Sequence, residues 1–310
     1  MCLLLVALAA AMPRALEVQL RPAAFGKSGA LRVWQTLPGE RVRLPLEWGG
    51  PRPARVRYAW VPVLGTKGEG ASDTLAAGEV ARAPGQPGVY ELRLEAAEGA
   101  RVLERLRLVV RVPFHRKQGP YLQGYHIGRY PSAQARGARY APPSGFIEVT
   151  RANQGLALSE HFRLAEFLTH DQKQVWPKYA VVDKRILEKL ELVLAELNAL
   201  GYPAEHMVVM SGYRTPQYNG RGLGSGRAAL SRHTYGDAAD VWVDNDLDGY
   251  MDDLNGDGRR DTGDARVILE AAERVEARHP ELAGGAGIYP ANGVHGPFLH
   301  IDARGRRARW

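Results

Sequence analysis

Three residues of the sequence combine the side chains and the spacing of a metal site with an open position. His233 and Asp240 stand seven residues apart, with Gly236 between them, so that a loop can turn there and enter a strand. His300 lies in a second short run typical of a strand, residues 298–302. If the two segments fold together, two imidazoles and one carboxylate can bind the same ion. Three protein ligands on zinc leave one position at which a water is acidified and a carbonyl is polarised.

The segments around these ligands resemble a known family of peptidases. SRHTYGDAAD, residues 231–240, is similar to the S-x-H-x-x-G-x-A-x-D signature of the zinc D-alanyl-D-alanine carboxypeptidases, which share their fold with the hedgehog signalling domain. FLHID at 298–302 resembles the second metal strand of that family, and SGYR at 211–214 and GIY at 287–289 stand where the family has them. The resemblance spans roughly residues 158–310. It implies a peptidoglycan hydrolase with one catalytic zinc on His233, Asp240 and His300.

The resemblance also implies roles for residues beside the metal ligands. Some members carry a catalytic Glu three residues before the last His ligand, and that position is Pro297 here. Others have a His at the position of His295, which is therefore our candidate for the general base. Arg214 at a strand end can bind a substrate carboxylate or a developing oxyanion, or it can form an internal ion pair. Four further residues are expected to line the cleft or to orient the ligands: Ser231, Asp237, Tyr289 and Asp302.

An acidic insert, residues 244–264, separates the two halves of this proposed site. It holds eight aspartates against two arginines in a chain whose net charge is +7, and such a charge density favours a bound cation. The spacing matches an EF-hand-type calcium loop, with Gly258 at the sixth position. The ligands of this loop would be Asp253, Asn255, Asp257, the carbonyl of Arg259, Asp261 and Asp264. A second loop would use Asp244, Asp246, Asp248, the carbonyl of Tyr250 and Asp252, and would compete with the first for Asn255.

Calcium in this insert would be structural, because hard oxygen ligands suit calcium and are poor for zinc. We expect one ion or two, which would brace the strand that carries Asp240 against the helix that follows. A solvated acidic loop with no ion is the alternative. We further expect Asp264 to cap that helix, residues 265–278.

The length of the chain indicates about two domains, and its first residues indicate export. A single core rarely grows past roughly 250 residues, and this chain has 310. Its one cysteine, Cys2, lies in the apolar run 2–11, which together with the small residues after it indicates a signal peptide over residues 1–15. The basic segment that usually precedes such a run is missing, so the true start would lie upstream; a buried strand or helix is the alternative. We expect a periplasmic or cell-envelope location.

The basic balance does not by itself indicate a nucleic-acid-binding protein. Forty-one Lys and Arg residues outnumber 34 Asp and Glu residues, but the arginines are scattered over strand-like segments without interleaved aromatic residues. An exported basic protein would more readily contact an anionic cell wall or membrane surface, and solubility alone would explain the charge equally well. We expect a monomer with no nucleic-acid partner.

Residues 16–112 show the alternation of strands with one buried face. Val42, Leu44, Leu46 and Trp48 occupy every second position, and several such runs are separated by Gly and Pro. Six or seven strands in about a hundred residues predict an immunoglobulin-like β-sandwich, with Tyr90 as a candidate corner tyrosine. This domain would serve as a spacer, a docking module or a structural support.

The remaining segments complete an α+β fold in which a hedgehog/DD-peptidase-like domain, residues 158–310, follows the β-sandwich. Residues 113–157 are rich in Gly, Pro and Tyr, and we expect an ordered connector laid along the catalytic domain. Residues 158–170 read as a cap and a short amphipathic helix. A second helix begins after Asp183 and ends at Gly201.

The leading functional hypothesis is a zinc D,D-carboxypeptidase or D,D-endopeptidase acting on the stem peptides of peptidoglycan. Cleavage of another stem-peptide or protein amide is a second interpretation of the same chemistry. A non-catalytic, metal-stabilised cell-wall-binding module is the alternative from a different class. Such a module needs neither a base nor a substrate-binding arginine, whereas His295 and Arg214 are both present.

Overall fold

The structure is a computed structural model that describes residues 16–21, 31–131, 140–224 and 227–310. The predicted signal peptide, residues 1–15, lies outside these ranges. The described residues form both strands and helices, which confirms the α+β class. None of their helices is long and apolar enough to cross a membrane.

The described residues before residue 114 are organised in strands. Five strands form one sheet in the order β2-β9-β8-β5-β6; β2 runs parallel to β9, and the other neighbours are antiparallel. Two smaller antiparallel pairs, β1 with β4 and β3 with β7, complete this region. The bounds are β1 (Val18–Leu20), β2 (Val33–Thr36), β3 (Arg41–Arg43), β4 (Leu46–Trp48), β5 (Arg57–Val63), β6 (Ala71–Thr74), β7 (Val80–Arg82), β8 (Gly88–Ala96), β9 (Gly99–Val110) and β10 (Val112–Pro113).

Alternating burial explains these strands. Val42 is buried between exposed arginines, and Tyr58 and Trp60 are buried at alternate positions of β5, as Leu92 and Leu94 are in β8. These strands therefore place one row of apolar side chains in the core and the other row towards the surface, whereas β6 has no buried position.

The segment around residues 113–157 is joined to its neighbours by strand pairing. It contains β11 (Tyr121–Leu122), β12 (Tyr125–His126) and β13 (Gly145–Val149). β10 pairs with β13, which also pairs with β14 (Lys178–Ala180), so this small sheet crosses both of the expected domain boundaries. Tyr125, Ile127 and Phe146 of this segment are fully buried.

The rest of the chain forms a five-stranded sheet backed by two long helices. The sheet order is β15-β16-β18-β17-β19; α1 packs against α3, and α3 packs against β17 and β18. The bounds are α1 (Lys184–Ala199), β15 (Met207–Ser211), α2 (Pro216–Gly220), β16 (Ala238–Val243), α3 (Thr262–Arg278), β17 (Gly285–Tyr289), β18 (Phe298–Asp302) and β19 (Ala308–Arg309).

Two local expectations about the helices differ from the structure. The helix predicted over residues 158–170 is only a 3-10 turn, Leu164–Phe167, because the backbone N–H of Leu158 donates to Phe162 O and Ala157 forms a β-bridge with Arg163. The cap of α3 is Asp261, three residues before the predicted Asp264. Asp264 Oδ2 instead accepts a hydrogen bond from the backbone N–H of Asp261 and closes a capping box.

Candidate metal centre

Strand register places two of the three predicted ligands side by side. β16 and β18 pair antiparallel with Asp240 directly opposite His300, so both side chains lie on the same face of the sheet. His233 lies on a 3-10 helix, Arg232–Tyr235, that immediately precedes β16. Asp240 is 3%, His233 2% and His300 8% exposed. Segments sixty residues apart thus meet at one buried point.

A glycine makes the turn from this 3-10 helix into β16. Gly236 has a φ of +73°, and a Cβ at this position would lie 2.3 Å from the carbonyl oxygen of Val181. Its own carbonyl accepts a hydrogen bond from the N–H of Asp183, the residue that caps α1. Only a residue without a side chain fits this bend, which fixes His233 relative to Asp240.

The three ligand atoms form a triangle with sides of about the same length. His233 Nε2 lies 3.2 Å from Asp240 Oδ1 and 3.1 Å from His300 Nδ1, and the last two atoms are 2.8 Å apart. A tetrahedral zinc with bonds of about 2.0–2.1 Å separates its ligands by about 3.3 Å. The spacing therefore fits three ligands of one zinc ion.

Hydrogen bonds on the far side of each imidazole leave these inner atoms without a proton. His233 Nδ1 lies 2.7 Å from the carbonyl oxygen of Gly212, which can only accept, so Nδ1 carries the hydrogen of the neutral ring. His300 Nε2 faces Asp302 Oδ2 at 3.4 Å in the same manner. The inner nitrogens and Asp240 Oδ1 then point three lone pairs at one point, an arrangement that a cation stabilises.

The electrostatics of the site agree with a bound cation. Burial lowers the pKa of His233. Burial also opposes a charge on His300, but its hydrogen bonds to Asp240 and Asp302 outweigh this effect and raise its pKa. Burial likewise opposes ionisation of Asp240, yet the two imidazoles hold the pKa of its carboxyl well below the usual range. The ionised carboxylate of Asp240 thus favours a positive charge at the point between the three ligand atoms, where zinc would bind.

Residues 160–254 match the family Peptidase M15. This match confirms the predicted resemblance to the zinc D-Ala-D-Ala carboxypeptidase-like family in the C-terminal half of the chain, and it supports a metallopeptidase. The matched segment includes His233 and Asp240, while the register of β18 adds His300. No curated protein and no solved structure matches the chain.

Arg214 lies against Asp240, one of the three candidate metal ligands. Its Nη2 donates to Asp240 Oδ2, and its Nε donates to Ser211 Oγ at 2.8 Å. The backbone N–H of Arg214 also donates to the carbonyl of His233 at 3.2 Å. The side chain is 15% exposed. In this structure Arg214 thus makes the internal ion pair and holds Asp240 by the oxygen that faces away from the other ligands.

His295 lies in the loop between β17 and β18, outside the ligand group. The ligand atoms that lie within 4.8 Å of one another belong to His233, Asp240 and His300 and do not include His295. His295 Nδ1 lies 2.8 Å from Gly296 O, and Nε2 lies 2.7 Å from the side-chain nitrogen of Asn292. Because an amide nitrogen can only donate, Nε2 of the neutral ring accepts this bond and carries the lone pair.

The four residues predicted to line the cleft or orient the ligands have different surroundings. Asp302 is fully buried against His300 Nε2 and also accepts from Gly285 N at 2.8 Å. Asp237 pairs with Arg232, at 3.0 Å between Oδ1 and Nε, and so holds the neighbour of His233. Ser231 precedes the 3-10 helix and accepts through its carbonyl from Thr234. Tyr289 OH accepts a hydrogen bond from Trp310 Nε1 at 2.7 Å.

The acidic insert is organised by backbone hydrogen bonds to its carboxylates. Asp253 accepts from the N–H groups of Gly256, Asp257 and Gly258 at 2.7–3.1 Å. In the first half of the insert, ligand atoms of Asp244, Asp246 and Asp252 lie within 4.8 Å of one another. Arg260 pairs with Asp248 at 2.6 Å and offsets part of the negative charge. Calcium in these loops stays a prediction.

Proposed function

We propose that the protein is a zinc-dependent peptidase that hydrolyses D-amino-acid peptide bonds in the stem peptides of peptidoglycan, as a D,D-carboxypeptidase or D,D-endopeptidase. One observation carries the proposal: the lone pairs of His233, Asp240 and His300 converge at zinc spacing, and the first two of these residues lie in the segment that matches Peptidase M15. Two nitrogens and one oxygen are the ligand set of hydrolytic zinc, which keeps one position open.

Zinc held by these residues would acidify a water and polarise the scissile carbonyl. The Gly212 carbonyl and the Asp302 carboxylate hold the two imidazoles in the ligating tautomer. Arg214 keeps Asp240 oriented through its outer oxygen. His295 would receive the proton of the water at Nε2. This requires Nε2 to give up its hydrogen bond with Asn292 when substrate binds, and catalytic hydrogen bonds often form only in the substrate complex.

Digestion of purified muropeptides, followed by mass analysis of the products, tests this function. We expect stem peptides that lose a terminal D-alanine if the protein is a carboxypeptidase, and separated cross-linked dimers if it is an endopeptidase. A zinc chelator should stop either reaction, and added zinc should restore it. Unchanged muropeptides after incubation with the zinc-loaded protein would refute the proposal.

A wall-binding module that does no chemistry is the second candidate. The observation that favours it is the placement of Arg214, whose Nη2 and Nε are taken by Asp240 and Ser211. In that case sedimentation with insoluble peptidoglycan would occur, would require zinc, and would leave the muropeptide profile unchanged.

The β-rich region and the location of the protein belong to the same proposal. We propose that residues 16–112 form an immunoglobulin-like sandwich and that the chain is exported to the periplasm or cell envelope. The hydroxyl of the fully buried Tyr90 donates to the carbonyl of Gln86, four residues upstream, which supports its role as a corner tyrosine. Fractionation of cells that produce the full chain tests the location.

Calcium binding by the insert can be tested separately from zinc. We expect added calcium to raise the unfolding temperature of the chelator-treated protein by a few degrees, because ligand binding to the folded state alone stabilises it. Asp253→Ala should reduce this shift, since Asp253 occupies the first position of its loop. Identical unfolding temperatures with and without millimolar calcium would contradict the predicted loops.

A further inference from the structure

The face of the sheet that carries the metal ligands changes in character from one edge to the other. Along the order β15-β16-β18-β17-β19, Arg214 follows β15, Asp240 lies on β16, His300 on β18, and Trp310 follows β19. One side of the ligand group is therefore cationic and the other is aromatic. The aromatic side has no part in the mechanism above.

Trp310 reaches the metal face because the strand beside His300 has no side chain there. Gly287 of β17 is directly opposite His300, and a Cβ on it would lie 2.3 Å from Trp310 Nε1. The indole occupies this space, with its ring centroid 5.4 Å from that of His300. Its Nε1 donates to Tyr289 OH at 2.7 Å, and the backbone N–H of Trp310 bonds to Ala286 O. The indole is thus fixed against a metal ligand.

Two more rings extend this surface along the same face. Tyr289 and Phe298 are paired opposite each other, two residues from Gly287 and His300, so all four positions share one face. The rings of Tyr289 and Phe298 stack with centroids 4.8 Å apart and an angle of 7°. We call Trp310, Tyr289 and Phe298 the aromatic ledge.

Trp310 provides the accessible part of the ledge, since Phe298 is only 7% exposed, and the guanidinium over the indole is already paired. Trp310 is 53% exposed although it packs against a buried ligand. The guanidinium of Arg304 lies 5.4 Å from the indole centroid, and it is bonded to the carboxylate of Asp302 through Nε and Nη2. An exposed indole therefore lies against His300, a ligand of the zinc that would polarise the substrate carbonyl.

We propose that the aromatic ledge is the subsite for an aliphatic side chain on the substrate residue next to the cleaved bond. This inference rests on the proposed peptidase function and adds which substrate side chain the site prefers beside the cleaved bond. An aliphatic group that covers the indole loses its contact with water, which favours binding. A carboxylate at the same place would lose hydration without gaining a partner, because Arg304 is paired with Asp302. The protein should therefore prefer D-alanine or D-leucine over D-glutamate at this position.

The test compares three peptides that differ only at the residue next to the cleaved bond: D-alanine, D-leucine and D-glutamate. Zinc content, kcat and KM are measured for the wild type, Trp310→Ala and Trp310→Phe, and calorimetry measures peptide binding to the zinc-loaded proteins. We expect kcat/KM of the wild type to be at least about tenfold higher for D-leucine than for D-glutamate. Trp310→Ala should lose this ratio through a higher KM for D-leucine, at unchanged zinc content.

Two variants separate substrate contact from loss of structure. Trp310→Phe keeps an aromatic platform and should retain most of the preference. Trp48→Phe removes an indole that lies on β4 and bonds to Glu79, so its preference should equal that of the wild type. If Trp310→Ala loses zinc or kcat while the D-leucine to D-glutamate ratio stays the same, Trp310 only supports His300 and the inference is wrong.

The outcomes also distinguish this inference from the proposed function. Cleavage with no preference among the three peptides overturns the ledge and leaves the peptidase in place. Calorimetric binding with the expected preference, but without cleavage, supports the ledge and overturns the peptidase. A zinc-loaded protein that neither cleaves nor binds the peptides overturns both.

Discussion

Asp240 contacts different partners through its two carboxylate oxygens. Oδ1 faces the two imidazole nitrogens, and Oδ2 accepts from Arg214. The guanidinium thereby fixes the orientation in which Oδ1 can serve as a ligand. A neutral amide in place of this carboxylate would keep the shape and remove the charge.

We predict that Asp240→Asn lowers zinc affinity by more than about 100-fold, the upper end of what residues behind the ligands contribute. The amide has no anionic oxygen, and its NH₂ group can face Arg214 only unfavourably. Zinc affinity is measured by competition with a chromophoric chelator. Asp302→Asn is the graded comparison, since Asp302 faces one ligand, His300, from behind, and its substitution should lower zinc affinity by about 10- to 100-fold. Equal zinc affinity of Asp240→Asn and the wild type would remove Asp240 from the ligand set.

The second residue-scale prediction concerns the base. His295→Ala should retain zinc and lose about 10²- to 10⁴-fold in kcat, because the ring is outside the group of ligand atoms yet would carry the proton. Asn292→Ala frees His295 Nε2 and should keep activity. His115→Ala, at an exposed position, is the control. Full turnover by His295→Ala would show that another group takes the proton.

At the residue scale, the sequence identified the atoms that could bind metal but not those that hold them. Two His and one Asp stand out by type and spacing. The carbonyl of Gly212, the hydroxyl of Ser211 and the indole of Trp310 carry no such signal, because their role depends on which distant segment folds against them. The run SGYR did mark the right loop, since its backbone and side chains meet both His233 and Asp240.

Helices and strands whose apolar residues recur at a regular spacing were predictable from the sequence. Elements whose structure depends on contacts with distant segments were not. Alternating apolar residues predicted the strands of residues 16–112, and the apolar stripe predicted α1 between Asp183 and Gly201. The prediction of a helix over residues 158–170 was wrong, because backbone groups of this segment bond to one another across a β-bridge. The pairing of Asp240 with His300 could not be read from either strand alone, and a shift by one residue would turn one ligand to the opposite face.

The element-scale prediction concerns the bend at Gly236. Gly236→Ala should lower the free energy of unfolding by more than about 1 kcal/mol, because alanine resists a φ of +73° and its Cβ would meet Val181 O. Zinc affinity should fall as well, since the bend positions His233. Urea unfolding of the chelator-treated proteins measures the first effect. Gly293→Ala, where a Cβ would meet nothing within 4 Å, is the matched control. Equal stability of the two variants would contradict the role of the bend.

At the scale of the whole molecule, one buried lysine joins three elements behind the metal face. Lys189 of α1 is 0% exposed, and its Nζ donates to Glu276 Oε1 on α3 at 2.6 Å and to Asp302 O on β18 at 2.7 Å. Glu276 Oε2 also accepts from Arg309 of β19 at 2.6 Å. Burial lowers the pKa of Lys189, and the charge of Glu276 opposes this shift. The sequence could not predict this cluster, because its members are far apart along the chain and a lone Lys within a helix usually faces water.

We predict that Lys189→Met destabilises the chelator-treated protein by about 3–5 kcal/mol, because Glu276 would keep a buried charge without one of its two cationic partners. Lys184→Met, at an exposed position of the same helix, should change stability by less than about 0.5 kcal/mol. Urea unfolding gives both values. The double variant Lys189→Met, Glu276→Gln should recover part of the loss, since it removes the charge that the single variant leaves unbalanced. If both lysine variants unfold at the same urea concentration, the buried cluster does not join the helices to the sheet.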